Sequence, residues 1–111
     1  MLFRSNPILI RDDVYPGVHH LSGTMPVPLS CDDLAVHVVQ VTQYSYRIVF
    51  ETWQNPALTC YKAQTTRDFT VIAFAPTTGT AFAATFDDKP IAVAVVQNVH
   101  DTDTNTNTSV R

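Results

Sequence analysis

Between residues 42 and 99, polar and apolar side chains alternate with a two-residue period, and Pro, Gly, Asn or Asp clusters interrupt the alternation at short intervals. That pattern predicts antiparallel strands joined by tight turns. Tyr44, Tyr46, Ile48 and Phe50 fall on one side of the first strand, with Ser45, Arg47 and Glu51 on the other. Gln54-Asn55-Pro56 breaks it. Residues 57–64 resume, with Leu58, Cys60 and Lys62 opposed to Tyr61 and Ala63, and residues 65–68 read as a turn. Three further strands are expected over residues 69–75, 80–86 and 91–99, separated by Pro76-Thr77-Thr78-Gly79 and Asp87-Asp88-Lys89-Pro90. Loops this short favour antiparallel neighbours, so the three predict a meander.

The N-terminal half is less regular. Residues 8–14 read as a short strand, with Ile8 and Ile10 on one face and Leu9 and Arg11 on the other, ended by Asp12-Asp13 and Tyr15-Pro16-Gly17. Residues 16–28 hold three prolines and two glycines, which removes donors and fixes φ, so a loop is expected. Ser30 followed by Asp33 resembles a capping box, which predicts a short helix near residues 31–37. Against it stand the β-branched Val36, Val38, Val39 and Val41. The expected fold class is therefore α+β and β-rich: an antiparallel meander of four to five strands with at most one short helix.

The faces of the meander are unequal. Ile72, Phe74, Phe82, Phe86, Ile91, Val93 and Val95 are expected on a bulky face, and Ala73, Ala75, Ala81, Ala83, Ala92 and Ala94 on the opposite one. A solvated face ordinarily carries charged and polar side chains, so an alanine face predicts a covering layer. A packed segment of the same chain, a protein partner or a homodimer would each supply it. These six alanines are the expected partner surface.

Composition adjusts this picture at a few points. The chain has 111 residues, 45% of them hydrophobic and 15% charged, which suits one folded domain, expected over residues 6–100. Residues 101–111 alternate Asp, Asn and Thr and are expected to be disordered. Met1-Leu2-Phe3-Arg4-Ser5 reads like a translated sequencing-library adapter, which would place the natural start upstream. A net charge of −3 with seven scattered Lys and Arg offers no basic stripe for nucleic acid, and no apolar run is long enough to span a membrane as a helix. The compartment is open between cytoplasm, slightly favoured, and secretion, for which Asn107-Thr108-Ser109 would be a glycosylation acceptor.

Chemistry-bearing residues are sparse. His19 and His20, with Cys31 further on, are the right types for a divalent metal, yet their spacing matches no metal signature and adjacent histidines on an extended chain point to opposite sides. No cofactor is implied. Cys31 and Cys60 read as two packed thiols, with a disulfide across about 30 residues as the alternative. Tyr44, Tyr46, Trp53 and Tyr61 are expected in the core. With three glycines there is no phosphate loop, and nothing points to catalysis. The expected function is a non-catalytic interaction or assembly domain. The alternative is the C-terminal fragment of a small-ligand-binding domain or enzyme whose pocket would draw on His19, His20, Asp33 or Tyr44.

Overall fold

The computed structural model describes residues 7–54, 60 and 65–100. They form eight strands: β1 (Ile8–Tyr15), β2 (Val18–Val27), β3 (Asp32–Gln40), β4 (Ser45–Gln54), β5 (Thr65–Phe74), β6 (Ala81–Phe86), β7 (Lys89–Ile91) and β8 (Val93–Val99). Two four-stranded sheets result, ordered β5-β2-β1-β8 and β3-β4-β6-β7. The fold is mostly β, with no helix among the described residues, and the pairing is mixed: β1 lies parallel to β8 and β4 parallel to β6, the other neighbours being antiparallel.

The expected single meander is thus corrected. Asp87 and Asp88, at φ 47° and 71°, do make the tight β6–β7 turn, a conformation short Asp side chains tolerate. Pro76 to Gly79, however, does not close a hairpin: it carries the chain from β5 in the first sheet to β6 in the second. A second crossing needs one residue, Ala92, between β7 and β8. Residues 65–68, expected as a turn, are the start of β5. The strand expected over residues 57–64 falls largely outside the described residues, as do the tail and the first five residues.

Residues 16–28 are corrected from loop to strand. Pro16-Gly17, with Gly17 at φ 72°, turns β1 tightly into β2. Beyond the turn His19, Leu21, Met25 and Val27 share the buried face. Pro26 costs no ladder bond. The Ala75 N–H donates to Gly17 O at 3.2 Å, so odd-numbered residues of this strand aim their backbone at β5 and even-numbered ones at β1. Pro26 is even, and the β1 pairing has already ended at Gly23.

The helix expected near residues 31–37 is strand β3. Leu34, Val36 and Val38 face the core, so burial of alternating β-branched side chains outweighs the capping signal. The carboxylate that serves the chain here is Asp32, 1% exposed, accepting from the Leu29 N–H at 2.9 Å and from Gln54 Nε2 at 2.7 Å. Arg67 of β5 donates to Asp32 O and Ser30 O, tying the entry of β3 to the first sheet.

The core lies between the sheets. Ile10, Leu21, Phe69 and Ala73 from the first meet Ile48, Phe50 and Ala84 from the second, and the Phe50 and Phe69 rings meet edge to face at 4.8 Å. Full burial of side chains such as Phe50 and Ile10 contributes about 1.5–3 kcal/mol each. No helix long and apolar enough to cross a membrane occurs among the described residues.

Candidate functional site

Two neighbouring aspartates of β1 point to opposite faces of the first sheet, and each meets a histidine. Asp12 shares the inward parity of Ile10 and Val14; His19 shares that of Leu21. Both are fully buried, with Asp12 Oδ2 2.7 Å from His19 Nδ1. His19 Nε2 lies 2.8 Å from Pro76 O, which also accepts from Thr80 Oγ1. Both ring nitrogens therefore face oxygen atoms. Gln97 of β8 donates to Asp12 Oδ2 at 3.2 Å, while Oδ1 has no partner among the described residues. The pair ties the β5–β6 crossing to β2. Neither side chain of the pair is exposed to solvent.

Asp13 faces outward. Its carboxylate accepts from Arg11 at 3.0 Å and lies 3.1 Å from His100 Nε2. The His100 ring stacks on Tyr15 at 4.5 Å, and Tyr15 meets His20 edge on at 5.2 Å. The hydrogen bond from His100, then that from Arg11, holds the Asp13 carboxyl below the ordinary carboxylate range. The same face carries Phe74 at 77% exposure and Ile72 at 48%, with Leu9 and Val96 also exposed. Register sets Phe74 beside Val18 and Ile72 beside His20. On the outer face of the second sheet the equivalent central strand instead carries Arg47, Val49, Glu51 and Trp53.

The residues singled out from sequence do not converge. His19 and His20 part to opposite faces, as adjacent residues of a strand must, and Cys31 is joined to Cys60 in a disulfide with Cα atoms 5.3 Å apart, so it is no free thiolate. Two packed thiols are therefore corrected to one bridge. Among the described residues no group of three or more His, Cys, Asp or Glu is placed to hold a metal ion. Asp33 and Tyr44 are exposed on the second sheet and its loop, and neither shares a hydrogen bond or ring contact with His19 or His20 among the described residues. Tyr46 is in the core, but Tyr44 and Trp53 are exposed; Tyr61 lies outside the described residues.

The six alanines do not share a face. Ala73 and Ala75 are buried under the first sheet, whereas Ala81 and Ala83 are exposed on the second, Ala92 is exposed at the corner and Ala94 is half-buried on β8. Because residues 76–80 cross between sheets, parity in β5 does not carry over to β6. In β5 the bulky residues, Ile72 and Phe74, are the ones left in solvent. Asp12 and Phe74 are thus the residues the sequence reading missed or placed inside. A polar residue in the apolar register Ile8-Ile10-Asp12-Val14 is the signal that could have found the buried pair.

No protein-family model matches the chain, and neither the curated proteins nor the solved structures compared with it include a match.

Proposed function

We propose that this chain is a non-catalytic assembly module that presents the outer face of its first sheet to another protein. The observation that carries the reading is the exposure of Phe74 and Ile72 beside Tyr15 and His20, a large apolar and aromatic set on one sheet face. Such surface is costly to leave in water and is characteristic of protein contact. The enclosure of Asp12 and His19 supports a structural role for this buried acid–base pair rather than a catalytic one. The Cys31–Cys60 disulfide supports an oxidising compartment, against the cytoplasmic expectation.

The reading requires that Phe74 and Ile72 be free for a partner rather than packed within the chain. A Phe74→Ser, Ile72→Thr variant tests this. Its melting temperature should stay within a few degrees of wild type, as for surface substitutions, while its retention on a hydrophobic resin falls. A loss of stability on the scale of a core truncation, about 3 kcal/mol or more, would mean that the chain covers this face itself and would overturn the reading.

A further inference from the structure

The two sheets leave four edges, and they are not equally protected. β3 and β5, on one side of the sandwich, lie against each other. β7, on the other side, is three residues long and carries Lys89 and Pro90, the side chains that ordinarily blunt an edge. β8 has none of these devices. Over seven residues, Val93-Ala94-Val95-Val96-Gln97-Asn98-Val99, it holds no charge, no proline and four β-branched side chains.

Its free backbone groups can be assigned. The Ile8 N–H donates to Ala92 O at 3.0 Å and the His100 N–H to Val14 O at 2.7 Å, so even-numbered residues here aim their backbone at β1. Val93, Val95, Gln97 and Val99 therefore aim theirs away from the sheet, where no strand pairs with them among the described residues. Beside this edge, on its inner side, lies an open groove of about 470 Å³ lined by Thr80, Ala81, Phe82, Val93, Val95 and Gln97.

We propose that β8 pairs antiparallel with β8 of a second copy of this chain, about a two-fold axis through Val96. The assignment deepens the assembly reading and rests on it. Antiparallel partners that exchange bonds must both be outward-aimed residues, which here means odd with odd. Centring on Val96 meets this along the whole strand, setting Val93 opposite Val99 and Val95 opposite Gln97. It also gives each exposed valine a partner. Val96, 56% exposed, meets its own symmetry mate in a pair without backbone hydrogen bonds, where side chains come closest. Val99, 58% exposed, falls over Val93 of the other copy at the mouth of the groove. An uncharged strand meets its own copy without like-charge repulsion, whereas a charged partner strand would find no counter-charge on this edge. The result is a closed, two-fold assembly with one continuous eight-stranded sheet, presenting two Phe74 faces.

The test uses the full chain. Sedimentation up to about 1 mM, the weak end of specific association, should reveal a monomer–dimer equilibrium. Val96→Lys should raise the dissociation constant at least tenfold with an unchanged melting temperature, because position 96 is solvent-exposed in the monomer. Phe74→Ser should leave the dimer in place. Val96→Cys should cross-link to its own copy under a glutathione redox buffer, and Ala94→Cys, whose partner would be Asn98, should not. A monomeric wild type, Val96→Cys cross-linking no faster than Thr85→Cys, or association abolished by Phe74→Ser and untouched by Val96→Lys would each overturn the edge pairing. None of these results bears on whether Phe74 and Ile72 are structural, so failure here is distinguishable from failure of the assembly reading.

Discussion

Asp12 and Asp13 are adjacent in sequence, each contacts a histidine at hydrogen-bond distance, and their surroundings differ almost completely. Asp12 and His19 are sealed between the sheets at 0% side-chain exposure; Asp13 and His100 sit on the outer face at 22% and 38%. The backbone causes this, since consecutive strand residues point to opposite faces. Inside, each polar side chain has lost its water and depends on its partner, so the pair acts as a unit. Outside, solvent competes for every hydrogen bond, and the same chemistry contributes little to the fold. A carboxylate–histidine contact read from distance alone would rank the two together; burial separates them.

The sharpest way to break the comparison is to remove one member of the inner pair. Asp12→Ala or His19→Ala leaves a buried polar group without its partner and should cost about 3–5 kcal/mol, read by urea denaturation. Replacing both with apolar residues, Asp12→Val with His19→Leu, should recover most of that loss, because neither polar side chain is then buried without its partner and Pro76 O keeps its bond from Thr80. If the double variant is as unstable as the sum of the singles, the two residues are not a unit. Nearly as large, Cys31→Ser should cost about 3–4 kcal/mol by releasing a loop with a sequence separation of 29. A thiol count with and without reductant checks the bridge itself: none free at first, then two per chain.

Gly23→Ala should be smaller, about 1–3 kcal/mol, as for overpacking. An added Cβ would fall 2.8 Å from Leu9 O and 2.9 Å from Phe69 Cζ, so β2 or the Phe69 ring would have to shift. The loss belongs to the seam between β1 and β2 that also carries the Asp12–His19 pair. Thermal unfolding measures it; an unchanged midpoint would mean the seam yields freely.

Alternation made the strands legible from sequence, and turn chemistry located Pro16-Gly17 and Asp87-Asp88. What alternation could not convey was which strands share a sheet. The Pro76 to Gly79 segment has hairpin composition, but its course is set by Pro76 O bonding to His19, 57 residues away in sequence. Inverting that one connection moves Ile72 and Phe74 from core to surface and scatters the alanines. The Ser30–Asp33 capping signal failed for a related reason: Leu34, Val36 and Val38 pack against the core by alternation only if the segment is a strand, which pairing with β4 supplies, while Val39 stays on the exposed side. Local signals fixed the elements, and contacts distant in sequence fixed their assembly.

The smallest effect belongs to the outer pair, and its sign follows from linkage. The Asp13 carboxyl is held below its ordinary value, first by the hydrogen bond to His100 and then by Arg11, with slight burial opposing. A carboxylate whose folded value is depressed contributes stability that is fully present above the unfolded value and lost as pH falls through the folded one. Asp13→Asn should therefore be slightly less stable than wild type near neutrality, and the gap should begin to close as pH falls below the ordinary carboxylate value of about 4, vanishing once the wild-type carboxyl takes up its proton at its lower value. His100→Ala, which removes the largest cause, should narrow the same window, and added salt should shrink the difference further because both groups face water. Stability measured from neutral pH down to about pH 3 would read this convergence. A gap between wild type and Asp13→Asn that stays constant through that range, or that approaches the size of the Asp12→Ala loss, would show that exposure does not separate the two pairs.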